Sequence, residues 1–269
     1  MKAPESDIAR RLEVEQAQLN LYARDLKRLF LSERDKSAQL RAANRQLQAY
    51  ARDFRTAFYA ERQKARELEK AYHDTVLRLV KAMRYKDDET GAHIVRLSHF
   101  AKFLAQQRGW KAAAAQLLFD ATPMHDVGKI AVPDAILQKA GPLTPEEWEV
   151  VRRHPMIGAS LLQGSASPLL ELARGIALCH HERWDGTGYP RRLRGERIPQ
   201  SARIVMLVDQ YDALRTRRPY KPGLAHAQTV DILLKGDGRT LPQHFDPEVL
   251  ELFSQHHAQL EVIYERFRD

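Results

Sequence analysis

The sequence contains very little cysteine and no long apolar run. Cys179 is the only cysteine among 269 residues, which excludes an internal disulfide framework and favours a reducing, cytoplasmic setting. No apolar run reaches the roughly 18 residues of a transmembrane helix, and the first residues lack the apolar stretch of a secretory signal. We therefore expect a cytoplasmic protein without membrane insertion.

The first 85 residues lack helix breakers and carry a seven-residue apolar repeat. No proline occurs between Pro4 and Pro123, and the first glycine is Gly91. One seam position holds Leu12, Leu19, Leu26, Leu40, Leu47, Phe54 and Leu68, and the position four residues later holds Ala23, Phe30, Ala51, Phe58, Ala65, Tyr72 and Leu79. Two apolar positions per repeat over such a length predict a coiled coil across residues 1–85.

A narrow seam on so long a helix needs a partner helix, and a parallel homodimer is the simplest arrangement. Polar residues interrupt the seam at Glu33, Ser37, Asn44 and Glu61. Asn44 suits a register-fixing role, whereas the two glutamates weaken the seam locally. The alternative is an ordinary long helix folded back on the rest of the chain.

Residues 86–269 are expected to form a separate all-α domain. Glycine and proline appear there, the amphipathic stretches shorten, and strands do not alternate with helices. A capping-type TPEE begins a helical pattern over residues 144–162. The apolar stretch 201–214 is long enough to favour a buried helix over a strand.

The positive charge of the chain is concentrated at its N-terminal end. Residues 1–85 hold 19 Lys and Arg against 12 Asp and Glu, whereas residues 86–269 hold 24 against 23. Acidic and basic residues are interspersed, as on a solvated helix, and no aromatic-basic platform for stacking bases is visible. We therefore expect no binding to a nucleic-acid polymer.

The domain contains many side chains that can bind metal. The candidate ligands are His93, His125, Asp126, His154, His180, His181 and Asp209. Asp209 lies in an apolar run, where a carboxylate is costly to bury unless it is paired or metal-bound. Imidazole with carboxylate suits iron, manganese or zinc better than magnesium or calcium. The set is larger than one ion needs, so we expect two or three divalent ions that share a carboxylate.

A multinuclear centre of this kind can generate hydroxide near neutral pH and hold the attacking and leaving oxygens of a phosphodiester. Lys129 follows Asp126 by about one helical turn, which suits it to neutralise a phosphate oxygen. The residues therefore predict metal-dependent phosphodiester hydrolysis.

Residues 72–267 closely resemble the HD-GYP family, a branch of the HD metal-dependent phosphohydrolases. The resemblance rests on HDVGKIAVPDAILQKAGPLTPEEWEVVRRHP, HHERWDGTGYP, RIVMLVDQYDALRTRRPYK and HFDPEVLELF, with the pair His125–Asp126 and the loop Gly188–Pro190. It implies an HD-type helical bundle, here preceded by the coiled-coil helix. It also implies hydrolysis of cyclic di-GMP to pGpG or GMP in bacterial second-messenger signalling.

The resemblance assigns roles to individual residues. All seven candidate ligands match metal ligands of the family, with Asp126 as the bridge between ions. Glu89 matches an additional carboxylate that favours three ions, and iron or manganese is the implied metal. Asp126 and Lys129 form the implied catalytic pair. The implied substrate contacts are Lys129, Tyr189, Arg218 and Lys221.

Two loop residues carry more specific expectations. Gly188 is expected to supply a backbone conformation that other residues cannot adopt. Trp184 either stacks on a guanine or packs within the domain. Two alternatives to a cyclic di-GMP hydrolase stay open: a receptor with negligible turnover, and a hydrolase of another cyclic dinucleotide. In either case the N-terminal helix could relay the signal of an upstream sensor or receiver partner.

Overall fold

The first helix, α1, runs without interruption from Pro4 to Met83. The computed structural model describes residues 4–83, 91–217 and 222–268. Alanine and long unbranched side chains dominate α1, so its backbone strongly favours the helical conformation. The predicted long helix is confirmed. Its seam positions from Leu12 to Tyr72 are exposed in the single chain, with Leu26 71% and Phe54 72% accessible.

Nine further α-helices follow in the part of the chain that the structure describes. They are α2 (Gly91–Gln107), α3 (Ala112–Ala121), α4 (Asp134–Leu137), α5 (Pro145–Val151), α6 (His154–Leu161), α7 (Pro168–Cys179), α8 (Gln200–Arg215), α9 (His226–Lys235) and α10 (Pro247–Arg266). Short 3-10 segments lie at Thr122–Met124, Val127–Ala131, Gly195–Arg197 and Pro242–His244. These described residues contain no strand, so the all-α prediction is confirmed.

The chain divides into two units, residues 1–72 and residues 73–269. The predicted boundary at residue 85 falls among residues 84–90, outside the described residues, and stays a prediction. Three predicted site residues also lie outside the described residues: Glu89, Arg218 and Lys221. Among the described helices, none combines the length and the apolarity needed to cross a membrane.

Helices α2 and α8 pack together at the centre of the second unit's core. In α2, Leu97, Phe100 and Leu104 are fully buried at the spacing of one helix face. Helix α8 is buried on several sides, through residues such as Ile204 and Val208. A helix buried all round lacks a polar face, which is why its sequence also resembled a strand. The prediction of a helix here is correct.

The prediction of one helical pattern over residues 144–162 is wrong, because two helices occupy that stretch. Helix α5 begins with the expected capping box at Thr144 and ends at Val151, and α6 begins at His154. Pro155 causes the break, since it has no N–H to donate to the Val151 carbonyl four residues earlier and its ring would clash there. The Nδ1 atom of His154 lies 2.7 Å from that carbonyl and takes the place of the missing donor.

Candidate metal centre

Asp126 and three of the predicted histidine ligands lie close together. The Nε2 atoms of His154 and His180 lie 3.0 and 3.3 Å from Asp126 Oδ1, and 3.3 Å from each other. His181 joins them, so that one ligand atom from each of the four residues lies within 4.8 Å of the others. The two doublets that stood out in the sequence therefore meet in space.

A second group lies on the other side of the same carboxylate. Single ligand atoms of His93, His125 and Asp209 also lie within 4.8 Å of one another. The Nε2 atom of His125 lies 3.0 Å from Asp126 Oδ2. The two oxygens of Asp126 thus face different ligand groups, which is the geometry that a bridging carboxylate requires.

Most of the candidate ligands lie at the ends of helices or in the junction between two 3-10 segments. His125 and Asp126 lie between two 3-10 segments, His154 is the first residue of α6, and His180 is the C-cap of α7. Adjacent residues of a regular helix point in different directions. The irregular backbone at these positions is what lets neighbouring residues serve one site.

Backbone carbonyls fix the orientation of three histidine rings. The Nδ1 atoms of His125, His154 and His180 lie 3.0, 2.7 and 3.0 Å from the carbonyls of Thr122, Val151 and Ala177, respectively. A carbonyl only accepts, so each Nδ1 carries the proton and donates it. Each Nε2 then presents its lone pair to the cluster, as metal-bound histidines do.

This donor set fits a metal centre. Burial lowers the pKa of His180 and holds the pKa of His181 well below its ordinary value, with the neighbouring His180 adding to the effect on His181. These imidazoles are therefore neutral at physiological pH, which is the state that binds metal. Lone pairs of His154 and His180 face each other and a carboxylate oxygen, an arrangement that a cation among them stabilises.

The charge at Asp126 is held by its neighbours. Burial opposes ionisation of the carboxyl, but the positive charge of Lys129 outweighs it, so the pKa of Asp126 lies well below its ordinary value. The Nζ atom of Lys129 lies 2.8 Å from Asp126 Oδ2. The predicted catalytic pair is therefore in contact, with the ammonium at the edge of the cluster.

A buried ion pair, which was not predicted from the sequence, contacts the Nδ1 atom of His93. The Nδ1 atom of His93 donates to Asp212 Oδ2 at 2.8 Å. Arg96 donates to both oxygens of Asp212, at 2.6 and 2.9 Å, and both side chains are fully buried. His93 and Arg96 are three residues apart on α2, as Asp209 and Asp212 are on α8. This matched spacing is the signal that could have revealed the pair.

The loop around Tyr189 lies directly against the cluster. Its ring stacks on His181 with the centroids 4.7 Å apart and the planes 26° apart. Burial raises the pKa of Tyr189, and the negative charge of Asp126 adds to this effect, so the phenol stays protonated. Buried Glu182 holds the loop by accepting from the backbone N–H groups of Arg191 and Leu193, at 2.7 and 2.9 Å.

Glycine is required at position 188, but not for the backbone conformation that was expected. Its backbone is not among those with positive φ, whereas Gly186 has a φ of +83°. A Cβ at Gly188 would lie 2.2 Å from the Arg183 nitrogen and 2.5 Å from the His181 oxygen. Close approach of two backbone segments therefore requires glycine there, and the left-handed turn belongs to Gly186.

Trp184 packs within the domain. The Arg203 guanidinium lies over its ring at 5.3 Å, and its backbone N–H donates to the His244 carbonyl at 2.8 Å. Arg203 is itself fixed by Asp246 at 2.7 Å. The packing alternative offered by the sequence is the one that these contacts favour.

Gly128 provides a test of how closely the ligand-bearing segments approach. A Cβ there would lie 1.9 Å from the His154 oxygen and 2.6 Å from the Gly158 nitrogen. We expect Gly128→Ala to separate the Val127–Ala131 segment from α6, to cost about 1–3 kcal/mol of stability, and to lower the metal content. Thermal unfolding and metal analysis of the purified variant measure both effects.

Gly175→Ala is the matched control for this substitution. It lies in α7, where a Cβ would meet nothing within 4 Å. Alanine should stabilise that helix by about 0.5–1 kcal/mol and leave metal content unchanged. Equal metal content in the two variants would argue against a tight fit at Gly128.

The comparisons with known proteins agree on one family. A family model described as "HD domain" matches residues 34–249. A cyclic di-GMP phosphodiesterase of Vibrio cholerae is 42% identical over 197 residues, which cover 68% of this chain and 39% of that protein. The cyclic di-GMP phosphodiesterase response regulator RpfG of Xanthomonas campestris is 42% identical over 199 residues, with 74% and 52% covered.

A relative that is named for a different substrate is also similar to this chain. The 3′3′-cGAMP-specific phosphodiesterase 2 of Vibrio cholerae is 39% identical over 183 residues, which cover 68% of this chain and 34% of that protein. The chain thus spans about half the length, or less, of these curated relatives.

Proposed function

Because this chain belongs to the HD domain family, we propose that it is a metal-dependent phosphodiesterase that hydrolyses cyclic di-GMP to pGpG, GMP or both. The observation that carries this proposal is the position of Asp126. Its two carboxylate oxygens face two separate groups of ligand atoms, at 3.0 Å from His154 and 3.0 Å from His125. A carboxylate shared in this way suits a multinuclear hydrolytic centre.

The protein's own residues prepare the site for this reaction. Bound divalent ions would supply a hydroxide near neutral pH and charge for the scissile phosphate. The backbone carbonyls hold the ring nitrogens of His125, His154 and His180 in fixed directions, so the ligands need little rearrangement. Lys129 lies at the edge of the cluster, where its ammonium can offset the negative charge of a phosphate oxygen.

We propose that the centre holds two or three ions of iron or manganese. The seven described ligands form two groups, which supports at least two ions. Glu89 would add the carboxylate for a third. Tyr189, Arg218 and Lys221 are proposed as substrate contacts together with Lys129.

The test is hydrolysis by protein loaded anaerobically with Fe(II) or Mn(II). We expect linear pGpG to accumulate from cyclic di-GMP and to give way to GMP if the second bond is also cleaved. Loading with Mg(II) is the control, since magnesium prefers all-oxygen ligands. Protein with a full complement of iron or manganese that leaves cyclic di-GMP intact would refute the proposal, and tight binding without turnover would favour a receptor.

A second candidate substrate is a hybrid cyclic dinucleotide that contains adenine. The similarity to a 3′3′-cGAMP-specific relative supports this candidate. A panel of cyclic di-GMP, 3′3′-cGAMP and cyclic di-AMP at equal concentration distinguishes the two, because kcat/KM reports discrimination directly.

We also propose that α1 pairs with a second copy in parallel. A basic row follows one seam position at Lys27, Arg34, Arg41, Arg55 and Arg62. An antiparallel pair would place the two basic rows against each other. A parallel pair places each row against the residues that precede the other seam position, of which Tyr22, Leu29, Ala43, Tyr50 and Ala57 are uncharged and Lys36 and Lys64 are basic. Fewer like charges therefore face each other in the parallel pair than in the antiparallel one.

Charged substitutions in the seam test this pairing. We expect Leu40→Glu with Leu47→Glu to shift the full chain from dimer to monomer, because two carboxylates per helix would be buried at the interface. Light scattering measures the mass. Gln39→Glu with Gln46→Glu adds the same charge away from the seam and should leave the dimer intact. Identical masses for the two double variants would exclude the seam as the dimer contact.

We further place the protein in the cytoplasm, where an upstream sensor or receiver partner would act through α1. A single cysteine, Cys179, fits a reducing setting. It is buried, and burial raises the pKa of its thiol to about 11. Such a thiol is unreactive, as expected of a small core residue.

A further inference from the structure

An open groove lies along the exposed face of α5 and contains side chains that the proposed chemistry leaves unused. It has a volume of about 320 Å³ and is lined by Pro145, Glu146, Trp148, Glu149 and Arg152. All of these belong to α5 or its C-cap, immediately before the candidate ligand His154. The groove residues and this candidate ligand therefore belong to one continuous stretch of backbone.

Arg152 connects the groove to the loop over the metal centre. Its guanidinium carbon lies 5.8 Å from the ring centroid of Tyr189, which stacks on His181 at 4.7 Å. The same carbon lies 5.9 Å from the ring of Trp148. Arg152 therefore lies between two aromatic rings, and one of them touches a candidate metal ligand. The Arg152 side chain is 52% exposed, which leaves it accessible to a ligand.

Trp148 is 45% exposed, although tryptophan is usually well buried. Proteins that bind unpaired bases stack them on aromatic rings and on arginine planes. A tryptophan next to a half-exposed arginine provides both kinds of surface. A planar aromatic ligand therefore suits this groove better than an aliphatic one.

The charges around the groove favour guanine among the planar ligands. Glu146 and Glu149 only accept hydrogen bonds, and Arg152 only donates them. Guanine presents adjacent N–H donors at N1 and N2 and acceptors at O6 and N7, whereas adenine has an acceptor at N1 and a donor at N6. The neighbouring Glu147 is already engaged in the α5 capping box and with Lys139 at 2.6 Å. Glu149 pairs with Arg152 at 3.3 Å, and the two carboxylates of the groove would repel a phosphate.

We propose that the groove formed by Trp148, Glu146, Glu149 and Arg152 binds a guanine base of the cyclic dinucleotide and selects it over adenine. This inference rests on the proposed function, since it deepens the substrate specificity of the same site. Trp148 and Arg152 provide the stacking surface. The two glutamates accept from the donor edge of guanine, and Arg152 donates to its acceptor edge.

The test compares steady-state kinetics of metal-loaded variants on three substrates: cyclic di-GMP, 3′3′-cGAMP and bis(p-nitrophenyl) phosphate, which has no base. We expect Trp148→Ala and Arg152→Ala to raise KM for cyclic di-GMP about tenfold or more, since base stacking is lost. The loss of activity on the base-free diester should be much smaller than the loss on cyclic di-GMP. Arg174→Ala is the matched control, because Arg174 pairs with Glu171 at the same three-residue spacing as Arg152 with Glu149.

Glu149→Gln tests selectivity through the ratio of the two activities, which misfolding does not change because it lowers both activities alike. A glutamine can donate to adenine as well as accept, so the preference for cyclic di-GMP over 3′3′-cGAMP should fall by about tenfold. An unchanged KM in Trp148→Ala and Arg152→Ala would overturn the inference. So would an equal loss on the base-free diester, since that would place the effect on His154.

Different results exclude the proposed phosphodiesterase function and the guanine groove. Wild-type protein that cleaves the base-free diester but neither binds nor cleaves cyclic di-GMP refutes both. Wild-type protein that cleaves cyclic di-GMP, with variants that match it, refutes the guanine groove alone. If wild-type protein binds without turnover, calorimetry of the same variants replaces KM, and a tenfold weaker affinity supports the groove.

Discussion

Asp126→Asn is expected to reduce hydrolysis of cyclic di-GMP at least about 1,000-fold, because several kcal/mol of metal-based stabilisation would be lost. The substitution keeps the size of the side chain but removes the negative charge that lies between the two ligand groups. Metal content should fall by at least one ion per chain. Turnover and elemental analysis of the same preparation measure both effects.

Asp231→Asn is the control for this prediction. Asp231 pairs with Lys235 at 2.7 Å, close to the 2.8 Å between Asp126 and Lys129, but it is exposed on α9. Removing that pair should leave metal content and turnover intact. An Asp126→Asn protein with a full metal complement and ordinary turnover would show that the carboxylate does not bridge ions.

Arg96→Met is expected to destabilise the protein by about 3–5 kcal/mol, because it leaves the charge of Asp212 buried without its partner. The side chains of Arg96 and Asp212 are both fully buried. At about 2–4 °C per kcal/mol for a unit of this size, the midpoint of thermal unfolding should fall by about 6–20 °C. Differential scanning calorimetry of metal-free protein measures this change without a contribution from bound ions.

The double variant Arg96→Met with Asp212→Asn separates the ion pair from packing. Asparagine keeps an oxygen that can accept from His93 but carries no charge, so the double variant should regain at least half of the lost stability. Its metal affinity should stay about 10–100-fold below wild type, as expected when the acceptor that orients a metal ligand loses its negative charge. If the two substitutions instead add in their cost, the buried charge is not the cause of the instability.

The sequence indicated a candidate ligand set because metal-binding side chains are rare in apolar surroundings, and the binding of metal by these residues stays a prediction. Asp209 in an apolar helix and the doublets at His125 and His180 could be recognised without coordinates. The described ligands do lie in two groups, and the all-α class followed from the absence of strand patterns. The long helix was equally predictable, since no proline or glycine interrupts it.

Other features depended on contacts between distant residues. The pairing of Arg96 with Asp212 joins two helices that are more than 100 residues apart in the sequence. The need for glycine at Gly188 comes from the backbone of Arg183 and His181, which no local pattern shows. The break between α5 and α6 could have been predicted from Pro155 alone, but its consequence for the His154 ring could not.

We propose that Asp126 joins two ligand groups into one multinuclear hydrolytic centre. The most direct test is anaerobic titration of metal-free protein with Mn(II) or Fe(II), with bound ions per chain and cyclic di-GMP hydrolysis measured at each step. We predict that hydrolysis stays low through the first equivalent and rises as the second binds. Full activity at one ion per chain would show that the centre does not need two ions. No activity at any occupancy would show that the cluster does not hydrolyse cyclic di-GMP.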